Sequence, residues 1–407
     1  MCASRASRTA AAPSQFSRGR PPKLGRHARK ALYITTGNGD GAPHHRQRPP
    51  GRSVDGLFGT IGGGPASASY NSTSTSAPTL QSTLDVAAAP AIDPMEPDMR
   101  QVDAVIHERL ASRVALINQI STYIVSAGGK RIRPRLVLLF AQALGFDGPE
   151  RFELAAIVEF IHTATLLHDD VVDESSLRRG RATSNALFGN AASVLVGDFL
   201  YSRAFQMMVS VNRMRVLDVL ADATNVIAEG EVLQLMNMHD PDISVDDYLR
   251  VIRFKTAKLF EASARLGAVL GGADGTLEDS CAAYGRALGT AFQLVDDLLD
   301  YEGNSEALGK NVGDDLREGK PTLPLLIAMQ RGSDSDRQLV RSAIEHGEVE
   351  RLPDIIALVR RTGALDATRA AAEQEAERAR RCIDALPPTK AREALLELCV
   401  RAVHRSS

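Results

Sequence analysis

Residues 152–173 read FELAAIVEFIHTATLLHDDVVD, and this stretch decides the fold class. Apolar residues recur at three- and four-residue spacing as far as Val172, the period of a helix rather than the alternation of a strand. The helix ends in acid. Asp169 and Asp173 stand four apart, so both project from one face, one turn from each other. Two unpaired carboxylates there repel one another, and Leu166, Leu167, Val171 and Val172 are too apolar for an ordinary solvated face.

Outward from this helix the same period continues through 102–124, 135–143, 192–209, 214–238 and 248–270, then 277–301, 322–329, 339–344 and 358–386. Glycine and proline mark the breaks, at Gly128-Gly129, Gly148-Pro149, Gly180, Pro241, Gly271-Gly272 and Pro387-Pro388. Runs of period two are missing. The pattern predicts one large all-α domain of about ten helices and no sheet.

A second acid cluster, Asp296, Asp297 and Asp300, repeats the D-D-x-x-D spacing between Leu294, Val295, Leu298 and Leu299. Two such clusters on separate helices need cations between them. Hard divalent ions take oxygen ligands, and Mg²⁺ commonly uses one or two carboxylates plus substrate phosphates. The pair therefore predicts a cavity that binds a diphosphate through bridging metals. Basic groups surround the acids: Arg178-Arg179 five residues after the first cluster, Lys130 and Arg133 beside a glycine-opened helix start, and Lys310 and Lys320 after the second.

Composition bounds the rest. Residues 1–52 carry eleven Lys or Arg and one acid, and 67–82 is a low-complexity run, whereas residues 95–407 hold 37 basic against 46 acidic side chains. Residues 1–94 are expected to stay outside the fold, as a disordered or non-native extension ahead of a domain at 95–407. They read either as an Arg- and Ser-rich transit peptide or as upstream sequence appended by a start assigned too early. The acidic body argues against nucleic acid as partner. Cys2, Cys281, Cys382 and Cys399 show no metal or redox spacing, and no stretch is apolar enough to span a bilayer.

Residues 128–134, 162–173, 178–180, 292–300 and 319–324, in this order, closely resemble the trans-isoprenyl diphosphate synthases. The resemblance runs from Met99 to the end of the chain and is nearest to the long-chain polyprenyl type, the octaprenyl diphosphate synthases of bacteria. It implies a bundle of antiparallel helices around a deep cavity and a homodimer. It also implies three Mg²⁺ held by Asp169, Asp173 and Asp296, with Asp170, Asp297 and Asp300 in support. Arg178, Lys255, Lys310 and Lys320 would bind an allylic diphosphate. Lys130, Arg133, His162 and Arg179 would bind isopentenyl diphosphate. Lys255, Thr256 and Gln293 would supply the dipoles that stabilise an allylic cation.

Short-chain relatives usually carry an aromatic four or five residues before the first aspartate, where this chain has Thr165 and Ala164. The small pair predicts an open tunnel and a product near C40 made from farnesyl diphosphate, with Met207 and Met208 as candidate floor. A quinone side chain would be its destination. The competing readings are a shorter-chain farnesyl or geranylgeranyl synthase, a cyclase of the same fold and a non-catalytic subunit of a heteromeric synthase. The bacterial likeness favours the appended-start reading, with Met95 or Met99 as start and a cytoplasmic enzyme; a transit peptide would instead mean an organelle.

Overall fold

The computed structural model describes residues 95–302 and 312–405. Lys310 and the readings attached to residues 1–94 lie outside them. The described chain is helical almost throughout, in the order α1 Glu96–Leu110, α2 Ala115–Ser126, α3 Ile132–Ala143 and α4 Glu150–Val172. A hairpin of two-residue strands, β1 Leu177–Arg178 and β2 Arg181–Ala182, leads to α5 Ser184–Phe188 and α6 Asn190–Val211. Then come α7 Met214–Asn237, α8 Val245–Ile252, a π-helical turn Arg253–Ala257, α9 Lys258–Leu270 and α10 Gly275–Glu302. The last are α11 Asp314–Arg317, α12 Leu323–Arg331, α13 Asp334–His346, α14 Leu352–Arg361, α15 Ala364–Cys382 and α16 Lys390–Val403.

The 28-residue α10 packs against α9 and α15, α4 packs against α6, and α3 touches both α4 and α9. Their apolar faces meet in a core that includes Phe140, Phe160, Phe260 and Tyr284, all at most 1% exposed. Burying side chains of this size stabilises by about 1.5–3 kcal/mol each. Phe140 and Tyr284 meet edge to face at 5.2 Å, and the Tyr284 hydroxyl donates to the Leu395 carbonyl, tying α16 to the core.

The all-α expectation holds, with differences in detail. Sixteen α-helices are described where about ten were expected, and β1 and β2 pair as a two-stranded antiparallel sheet where none was expected. The periodic stretch 102–124 divides, because Ser112 and Asn118 exchange side-chain and backbone hydrogen bonds that replace helical ones. The stretch 358–386 divides at Gly363, which takes the left-handed conformation. Helix α16, after Pro387-Pro388, has no counterpart in the predicted set; Thr389 caps it by accepting from the Arg392 backbone. Among the described residues no helix is long and apolar enough to cross a membrane.

Candidate active site

Both acid motifs and most of the basic groups named from the sequence line one cavity of about 840 Å³. Asp169 sits at the end of α4 and Asp173 caps that helix, while Asp296 faces them from α10. Each of the three meets a cation. Lys255 Nζ is 3.5 Å from Asp169, Lys320 Nζ is 3.1 Å from Asp173, and Arg405 Nη2 is 2.8 Å from Asp296.

The other three aspartates of the motifs are buried. Asp170 accepts Nε and Nη2 of Arg178 at 2.8 Å, so it holds that guanidinium at the cavity edge. Asp300 accepts from the Asp315 backbone at the start of α11, fixing the segment that leads to Lys320. Asp297 accepts from Tyr248 and Gln293.

Local backbone explains how these groups arrive. Arg178 and Arg181 pair across the hairpin, and the two residues between them, Arg179 and Gly180, have φ of 53° and 71°. A two-residue turn with both φ positive matches the strand twist, but a side chain other than Gly or Asn is strained there. Arg179 bears that strain, and a Cβ on Gly129 would lie 2.8 Å from its guanidinium. Two glycine-opened segments thus bring Lys130, Arg133 and Arg179 to one wall of the cavity.

Lys255 and Thr256 lie in the π turn, where one extra residue redirects carbonyls and side chains. Helices close on it from both sides through glycines. A Cβ on Gly230 of α7 would come within 2.6 Å of the Lys255 nitrogen, and one on Gly289 of α10 within 2.7 Å of the Ala257 Cα.

Burial lowers Lys130, helped by the charges of Arg405 and Arg179, and brings Arg133 down to about 10, so Arg133 stays cationic at neutral pH. His162 is held well below its usual value by burial and then by Arg133 and Arg179. It is neutral, and since a guanidinium only donates, its Nε2 accepts from Arg133 at 3.2 Å. Burial would lower Lys255, but Asp169 and Glu231 outweigh it and raise the ammonium; Asp173 and Glu318 do the same for Lys320. Burial raises Glu231 and pushes Glu318 up to about 7.

Thr165 and His162 line the cavity one and two turns before Asp169, whereas Ala164, Met207 and Met208 are packed in the core. Sequence reasoning missed Arg405, Tyr248 and Glu231, and gave no role to Phe292, which opens the 292–300 motif. Arg405 stacks on the Phe292 ring at 3.7 Å and donates to the Phe292 carbonyl; Lys130 lies over the same ring at 5.8 Å. Isolated residues far from any motif carry no spacing signal, though Glu231 in the run Glu229-Gly230-Glu231 is an acid one turn before another polar cavity residue, Gln234.

The donors suit a hard divalent cation, being all carboxylate oxygens. Among the described residues no three Asp, Glu, His or Cys side chains gather as a closed metal cage. Single carboxylates facing one another fit ions whose remaining ligands come from water and a bound diphosphate.

The chain matches the polyprenyl synthetase family over residues 114–359. It is 57% identical to the octaprenyl diphosphate synthase of Escherichia coli K12 over 309 residues, 76% of this chain and 96% of that one. It is 45% identical to an all-trans-nonaprenyl-diphosphate synthase (geranyl-diphosphate specific) of Rhodobacter capsulatus, across 77% and 96% of the two chains. A polyprenyl synthase from Caulobacter crescentus CB15, solved in complex with calcium and isoprenyl diphosphate, superimposes with a TM-score of 0.75. That pair is 47% identical, with 77% of this chain and 96% of the other covered. With the acids, bases and glycines described above in place, this chain belongs to the polyprenyl synthetase family and is a prenyltransferase.

Proposed function

We propose that residues 95–407 form one catalytic domain that extends farnesyl diphosphate with isopentenyl diphosphate to an all-trans C40 chain, octaprenyl diphosphate, destined for a quinone. The observation that carries this reading is a single cavity lined by seven cations, Lys130, Arg133, Arg178, Arg179, Lys255, Lys320 and Arg405. The charges of Arg179 and Arg405 reach Lys130 and that of Arg179 reaches Arg133, which makes one group, while Lys255 and Lys320 act on each other in a second, to which we assign Arg178 as well. Two diphosphates need two such groups. The length of the product follows the 57% identity to an octaprenyl synthase and the small residues at 164 and 165.

In this mechanism Arg178, Lys255 and Lys320 hold the allylic diphosphate and take up charge as its C1–O bond breaks. The bonding pair leaves with the diphosphate. Thr256 and Gln293 line the cavity as dipoles facing the carbon that becomes electron-poor. Lys130, Arg133 and Arg179 orient isopentenyl diphosphate so that its alkene pair forms the new bond to C1; His162, neutral, presents Nδ1–H. A proton is then lost from the adjacent carbon to the departed diphosphate. Asp169, Asp173 and Asp296 would hold Mg²⁺, three ions by the family resemblance, and these would supply charge neutralisation to the diphosphate.

The enzyme is read as cytoplasmic and as a homodimer, with Leu195, Phe205 and Val209 of α6 and Val232 and Leu235 of α7, all exposed, as the apolar face. Purified protein incubated with farnesyl diphosphate, labelled isopentenyl diphosphate and Mg²⁺ should yield C40 product that disappears with EDTA. Ala164→Tyr should shorten it to C15–C20. Absence of any elongation overturns the function, and unchanged product from Ala164→Tyr overturns the tunnel direction.

A further inference from the structure

Four side chains beside the reaction centre form a chain of hydrogen bonds across three elements. Tyr248 belongs to α8 and Thr256 to the π turn that follows it; Gln293 and Asp297 stand one turn apart on α10. The Tyr248 hydroxyl donates to Asp297 Oδ2, Gln293 Nε2 donates to Asp297 Oδ1 at 2.7 Å, and the Thr256 hydroxyl donates to Gln293 Oε1 at 2.9 Å. Tyr248 is 5% exposed and Asp297 3%.

We propose that Tyr248 is a positioning residue for prenyl transfer, acting through Asp297 to fix the orientation of the Gln293 amide. The two ends of a carboxamide are nearly equal in size, so packing alone does not choose between them. Asp297 chooses, because a carboxylate only accepts and the NH₂ end must face it. The carbonyl end is then turned to Thr256. Reversed, the amide would present a positive dipole end in a cavity where the allylic carbon becomes positive. Tyr248 occupies the second oxygen of Asp297 and keeps the carboxylate from turning toward the cations of the cavity. Without that donor, Asp297 and the amide would sample other orientations.

This inference rests on the prenyl-transfer reading, and the experiment separates the two. Steady-state kinetics at pH 8 are measured for wild type, Tyr248→Phe, Gln293→Leu and the double variant, with thermal unfolding as a check on folding. Tyr248→Phe is expected to lower kcat about tenfold, the scale of one charge-assisted hydrogen bond, with both KM values within about twofold of wild type. In the Gln293→Leu background the same change should alter kcat by less than about twofold, because the group it positions is gone. A merely structural role would multiply the two losses.

Asp297→Asn, which turns an acceptor into a part-donor, gives an independent arm should Tyr248→Phe not fold. Its cost should be smaller in the Gln293→Leu background than in wild type, since only its support of the metal site remains to be lost there. Wild-type kcat in Tyr248→Phe, a loss confined to KM, or multiplicative losses in either pair would overturn the relay while leaving prenyl transfer standing. An inert wild type would overturn both.

Discussion

Arg405 Nη2 lies 2.8 Å from Asp296 Oδ1 and its guanidinium carbon lies 3.7 Å from the centre of the Phe292 ring, so the segment beyond α16 reaches the first carboxylate of the second acid motif. Arg405 shares this wall with Lys130, and their mutual repulsion contributes to lowering the Lys130 ammonium. Two cations kept this close gain from an anion between them.

Arg405→Gln is therefore expected to raise the KM for isopentenyl diphosphate roughly thirtyfold, about 2 kcal/mol for a lost charge-assisted contact, with the allylic KM little changed. Initial-rate kinetics with each substrate varied in turn check this. Equal rises in both constants would contradict the assignment of Arg405 to one of the two diphosphates.

Arg179 holds a left-handed conformation that Asn adopts at less cost. Arg179→Asn should leave the melting temperature unchanged or raise it, a relief of about 1 kcal/mol, while kcat/KM falls by roughly a hundredfold. Calorimetry beside kinetics reads both. A variant that loses stability and activity together would show that the turn does not store strain.

His162 gives a pH dependence whose sign is fixed. Its folded value lies well below the unfolded 6.5, so between the two the unfolded chain binds a proton that the folded one does not. Its contribution is fully present above about pH 6.5 and is lost as pH falls below that value. Denaturant unfolding of His162→Gln at pH 5 and 7.5 should show a smaller difference than wild type. An equal or larger difference would place the acid sensitivity elsewhere.

The π turn is held by close backbone approach, and Gly289→Ala puts a methyl 2.7 Å from the Ala257 Cα. Overpacking of this kind costs about 1–3 kcal/mol, and here the displaced backbone carries Lys255 and Thr256. The expected result is a melting temperature lowered by a few degrees with kcat reduced at least tenfold. Full activity at reduced stability would mean that the turn tolerates displacement.

Much of this was legible because helix period and motif spacing are local properties. The acids at 169, 173 and 296 and the bases at 130, 133, 178, 179 and 320 were legible as a set, and all eight line one cavity. What the supporting aspartates Asp170 and Asp300 would meet was not, since a helix face says nothing of what covers it. Arg178 covers Asp170, and the amide of Asp315 meets Asp300. The π turn escaped notice because its cause lies in Gly230 and Gly289, on two other helices. Arg405 escaped because a single arginine beyond a helix is silent until folding lays it on Phe292.

The walls of the cavity draw on residues from Lys130 to Arg405, nearly the full span of the described chain. No fragment of that span could assemble the chamber by itself. Fraying of the final helix, remote in sequence from every aspartate, would unseat a positive charge from Asp296 at once. Turnover in this protein is thus a report on the integrity of its tertiary structure from one end to the other.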